Sequence, residues 1–76
     1  MTNEEFVAIA RALYGASGWQ TAFADASGYS VRAINRVASG AVKVTRSMRE
    51  SLVHVAEQRV AEVNAAAELA RKAVGD

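Results

Sequence analysis

The sequence predicts a small all-α domain of about four helices, the last of them long. Three observations carry that expectation. There is no proline in 76 residues, which suits helices and is unusual in a chain of strands and loops. Apolar residues recur at i, i+3, i+4 and i+7 in successive stretches, the spacing of one buried helix face. Glycines at 15, 18, 28 and 40 separate those stretches, at the places where helices end and turns begin.

Thr2 or Asn3 opens the first helix. Glu5 lies three residues after Thr2, the spacing of a capping box. Phe6, Ile9, Ala10 and Leu13 follow as a buried stripe. Gly15 and Gly18 end that helix and frame a turn. Trp19, Ala22, Phe23 and Ala26 repeat the pattern over about two turns of helix, with Trp19 as a core anchor and Phe23 in the core by period. Gly28 closes the second helix, because glycine accepts the left-handed backbone of a sharp turn. Tyr29 follows, expected to pack, and Ser30 caps the third helix. Within it Ile34, Val37 and Ala38 face inward, while Arg32, Asn35, Arg36 and Ser39 share the opposite face. Gly40 stops this helix, and residues 41–44 connect onward, packing by Val42 or Val44.

Thr45 can cap the last helix, and Ser47 with Glu50 offers a second capping-box spacing. Nothing breaks the helix from Arg46 to about Ala73, a length of roughly 40 Å at 1.5 Å per residue. Residues 1–50 are therefore expected to form a helix-turn-helix domain, its motif over 19–40. Residues 46–74 form the long C-terminal helix. That helix carries two apolar patterns. Met48, Leu52 and Val55 can close the core. Val53, Ala56, Val60, Val63, Ala67, Ala70 and Val74 alternate steps of three and four, an a/d heptad pattern. One helix cannot bury both faces in so small a domain. The second stripe is expected to meet its equal in a second copy, giving a homodimer with Val53, Ala56, Val60, Val63, Ala67 and Ala70 at the interface. The alternative is a fold-back of the last helix on the first, which would use part of the stripe internally.

Composition narrows the function classes. With no cysteine there is no disulfide framework and no thiolate, which fits a reducing cytoplasm. No apolar run reaches membrane length, and the acidic, amphipathic start does not resemble a signal peptide. His54 is the one histidine, and no nucleophile, acid or second ligand is spaced to join it. The glycines form no phosphate-loop spacing. Glu57, Glu62 and Glu68 read as a solvated face. No catalytic residue, metal, cofactor, membrane or small-molecule substrate is expected.

The net charge is only +1, but its distribution is uneven. Arg32, Arg36, Lys43, Arg46 and Arg49 lie within eighteen residues, with no acid among them before Glu50. A recognition helix in the major groove of double-stranded DNA needs a short polar face near its N-terminus. Arg32, Asn35 and Arg36 supply one. Arginine can bind guanine O6 and N7 with two hydrogen bonds, and asparagine can bind adenine N6 and N7. Val31 can touch a thymine methyl. Gln20 and Thr21, at the start of the second helix, sit where free N–H groups favour a phosphate. Ser30, Ser39, Lys43 and Arg46 are further phosphate candidates.

Gln20, Phe23-Ala24, Gly28-Tyr29, Ser30, Ile34, Val37 and Gly40 resemble the lambda-repressor-like, or Cro-type, helix-turn-helix family. The resemblance is close over residues 19–45 and looser over the first helix and the start of the fourth. It implies base contacts from Val31, Arg32, Asn35 and Arg36 and a phosphate contact from Gln20. It further implies a small bacterial or phage repressor in the cytoplasm, acting near its own promoter. The chain departs from the family where an aromatic residue often stands late in the third helix, here Val37. It departs again where a proline often precedes the next helix, here Val44. The competing expectation is a protein-interaction or antitoxin-like module that uses the helix-turn-helix as scaffold. A small enzyme ranks third.

Overall fold

Local signals place each helix boundary in the computed structural model, which describes residues 1–75. Helix α1 runs Asn3–Tyr14, α2 Trp19–Ser27, α3 Val31–Ala38 and α4 Arg46–Gly75. The chain is all-helical, and no strand occurs among the described residues.

Thr2, rather than Asn3, is the cap of α1. Its hydroxyl accepts the Glu5 N–H at 3.1 Å, and the Glu5 carboxylate accepts the Thr2 N–H at 2.8 Å, completing the capping box. These bonds and the nearby amino terminus hold the Glu5 carboxyl below the ordinary carboxylate range, the Thr2 N–H being the largest cause. Ser30 caps α3 by accepting the Ala33 N–H at 3.1 Å. Between α2 and α3, Gly28 has φ +83°. A Cβ there would meet nothing within 4 Å. Glycine is therefore required by backbone conformation and not by space.

The core lies where all four helices meet. Phe6 and Ala10 of α1, Trp19, Phe23 and Ala24 of α2, Ile34 and Val37 of α3, and Met48, Leu52 and Val55 of α4 are buried. Phe6 and Phe23 meet edge to face with ring centroids 5.3 Å apart, a geometry contributing about 0.5–1.5 kcal/mol beyond burial. Trp19 is 3% exposed, as a core anchor should be. The core reaches along α4 to Val55, past residue 50. Beyond it α4 continues as a rod, and the molecule measures 52 × 22 × 20 Å.

Several expectations are corrected. Ile9 is 39% exposed. The buried arc of α1 centres on Phe6, Ala10, Val7 and Tyr14, and at about 100° per residue Ile9 falls outside it. In α2, Ala24 is buried, whereas Ala26 is exposed beside an open cleft shared with His54. Ala38 is also exposed, at the edge of α3, bordering a cleft with Val7 and Arg11. Of the two connector valines, Val44 packs against the core and Val42 stays exposed. The Ser47–Glu50 capping box does not form. Ser47 lies inside the first turn of α4, and a cap must stand outside the helix. Thr45 does the capping, accepting the Met48 N–H at 3.1 Å, while Glu50 pairs with Arg46 at 3.0 Å. The last helix extends two residues past Ala73, to Gly75.

Candidate nucleic-acid interface

Helix α3 is held from beneath and left free above. Ile34 and Val37 anchor it in the core, while Val31, Arg32, Asn35 and Arg36 are exposed. Arg32, Asn35 and Arg36 follow the i, i+3, i+4 spacing, so they stand on one arc facing away from the anchors. Among the described residues, none of these three side chains makes a hydrogen bond or ion pair within the chain. Three cations of α4 differ. Arg46 pairs with Glu50, Arg59 with Glu62, and Arg71 with Glu68. Among the described residues Arg46, Arg59 and Arg71 are thus paired within α4, whereas Arg32, Arg36 and Lys43 have no ion pair, and neither do Arg11, Arg49 and Lys72.

The phosphate candidates divide as well. The Ser30 oxygen is occupied as a cap, but its proton remains available to donate. The Ser39 proton is not, because its hydroxyl donates to the Arg36 carbonyl at 3.1 Å. Ser39 therefore serves the end of α3, which sequence spacing alone does not show. Arg46 is exposed and tied to Glu50 only by a surface ion pair, which is weak and readily exchanged for another anion. Gln20 is half-buried and Thr21 exposed on the first turn of α2. The cap of that helix is Gly18, which supplies no side-chain acceptor to its first N–H groups.

The loop after α3 is positioned by a residue from the other end of the chain. The Asn3 amide nitrogen donates to the carbonyls of Val37, at 3.1 Å, and Val42, at 2.7 Å. Its oxygen accepts the Val44 N–H at 2.8 Å. One side chain thus fixes both flanks of Lys43 and the last turn of α3. A second tie joins the turn before α3 to α4, where the Tyr29 and Ser47 hydroxyls lie 2.6 Å apart. Arg36 and Lys43 border a shallow cleft floored by Ala33, Val37 and Met48. Sequence reasoning missed both ties. Their partners are remote in the chain, and no periodic pattern marks them.

The α4 stripe is separate from this face. Met48, Leu52 and Val55 make the buried contacts to the core, so α4 packs on α1 and α2 with most of the stripe left outside. Val53, Val60 and Val63 are 53%, 57% and 52% exposed. Ala56 and Ala67 are half-buried and Ala70 is exposed. The last helix does pack on the first, as the fold-back alternative has it, but of the stripe only Ala56 lies beside that contact. Tyr14, at the end of α1, lies near Arg59 and Glu62, and partial burial raises its phenol above the ordinary range. No three metal-ligating side chains converge among the described residues, and no described helix is long and apolar enough to cross a membrane.

Comparisons with protein-family models, with curated proteins and with solved structures found no match to this chain.

Proposed function

We propose that the chain is a sequence-specific DNA-binding regulator whose α3 enters the major groove. The observation that carries this reading is the division of α3 itself. Its inner face is locked by Ile34 and Val37, while Arg32, Asn35 and Arg36 stand exposed with no partner among the described residues. The helix backbone is held in place, and side chains left unpaired on it are free to meet base edges. Lys43, on a loop fixed by Asn3, and the uncapped start of α2 at Gln20 and Thr21 flank that face and suit phosphates. Arg46 joins them by exchanging Glu50 for phosphate. The resemblance of residues 19–45 to lambda-repressor-like regulators points the same way, towards a repressor that occludes a promoter.

The regulator acts as a homodimer through the exposed stripe of α4, and two copies related by a two-fold axis read an inverted repeat. Anisotropy titration of a labelled duplex pool at two salt concentrations tests the DNA reading. Saturable binding that weakens in Arg32→Ala and Arg36→Ala supports it. Equal affinity of both variants and the unmodified protein overturns it.

A further inference from the structure

The proposed dimer leaves the direction and register of the two α4 helices open, and the stripe itself specifies them. We infer that a second copy of this chain packs its α4 antiparallel to the first, with the two-fold axis beside residue 65. This rests on the reading that two copies associate through α4.

In an antiparallel helix pair each a position faces a d position of the partner. With the axis at residue 65, Val60 faces the partner's Ala70, Val63 faces the partner's Ala67, and Ala56 faces the partner's Val74. Each of these layers then joins one valine to one alanine, with Val53 outside them, so the helices can keep one close, constant separation. Interdigitating large with small is the arrangement that leaves neither voids nor clashes. No neighbouring register does this. Shifting by one heptad in one direction sets Val60 against Val63 and Ala56 against Ala67. Shifting in the other direction sets Val63 against Val74 and Ala67 against Ala70. A parallel, in-register pair is uneven in the same way, with Val–Val layers at 53, 60, 63 and 74 and Ala–Ala layers at 56, 67 and 70. Alternately wide and narrow layers force gaps at the alanines.

Charge supplies an independent observation. Flanking positions meet e to e in an antiparallel pair. In this register Glu57 meets the partner's Arg71, twice by symmetry, and Asn64 meets its own equivalent. In the parallel pair the flanks meet g to e, and no acid meets a base: Arg59 faces Asn64, Leu52 faces Glu57, and Ala66 faces Arg71. Glu57 has no ion-pair partner among the described residues, and the Arg71 pair with Glu68 is exposed on both sides, so either can turn to the partner. The heads are set apart as a consequence. Leu52, the centre of the α4 core contact, lies thirteen residues from the axis, so the two cores stand roughly 40 Å apart at 1.5 Å per residue.

The absence of native cysteine allows a direct test by oxidative cross-linking of single-cysteine variants at exposed positions. Ala66 lies beside the two-fold axis and Val53 roughly 36 Å from its equivalent across it. Ala66→Cys is expected to couple to most of the protein as dimer under mild oxidation, and Val53→Cys is not. In a parallel pair Val53→Cys couples efficiently as well, which would overturn the orientation while leaving the dimer and the DNA reading intact. No coupling of either variant, with monomer in sedimentation, would overturn both the pairing and its direction. Glu57→Arg should weaken the dimer several-fold, and adding Arg71→Glu should restore it. Failure of that restoration would also count against the register.

Discussion

Asn3 and Val44 are joined across forty-one positions of sequence by a 2.8 Å hydrogen bond from the Val44 N–H to the Asn3 side-chain oxygen. The same amide donates to the carbonyls of Val37 and Val42. The start of α1 therefore fixes the loop that leaves α3. A side-chain amide is the group this site needs, since it must donate twice and accept once. Asn3→Ala should cost about 1–2 kcal/mol in urea unfolding, the loss expected for part-buried backbone groups left unpaired. Asn3→Asp keeps the acceptor and loses both donations, so it should destabilise too. Full stability in Asn3→Asp would show that the two donated bonds contribute nothing.

Gly28 makes the turn of the motif at φ +83° with open space around it. Gly28→Ala should cost about 1–2 kcal/mol from backbone strain alone. Gly28→Asn should cost less, because asparagine visits the left-handed region more readily. Thermal unfolding of the two variants checks this order, and equal losses would contradict it.

Arg32→Ala and Arg36→Ala should each cost about 1–3 kcal/mol in specific DNA binding and relax the preference at one base position. Gln20→Ala and Lys43→Ala should weaken binding to all sequences more evenly. Competition titrations with specific and nonspecific duplexes separate the two classes.

The Glu5 carboxyl is held below its ordinary range by the bonds at Thr2. A depressed folded value contributes stability above the unfolded carboxylate value of about 4.3. That contribution is lost as pH falls through the lower folded value. Glu5→Gln should therefore reduce the midpoint temperature at pH 7 and flatten its decline below pH 4. Melting curves from pH 7 to pH 2 give the comparison, and parallel curves would remove Glu5 from the acid response.

Affinity for DNA should fall steeply with salt. Lys43, Arg46 and Arg49 of two subunits can each displace a counterion, giving a log–log slope of magnitude about 4–6. A slope near zero would favour a protein-interaction module instead.

Much of the fold was legible because it rests on short-range rules. Thr2 with Glu5, Ser30 with Ala33, and the glycine at 28 act within one turn of chain, so the residues announce them. The α4 stripe was legible for the same reason, as a repeat along one helix. What escaped depends on how helices cross. Ile9 and Ala38 fit an apolar period yet lie exposed, since the arc each helix buries is chosen by its neighbours. Asn3 and the Tyr29–Ser47 pair carry no local signature. At the candidate interface, spacing identified the exposed face of α3. It did not show that the Ser39 proton is taken by Arg36, or that Arg46 is paired with Glu50.

Selection of bound duplexes from a random pool shows whether α3 reads base sequence. Enrichment of an inverted repeat is expected, with one preferred base in each half-site losing its enrichment when Arg32→Ala or Arg36→Ala replaces the unmodified protein. A pool that stays unenriched, or an enriched sequence unchanged by both substitutions, would contradict that role of α3.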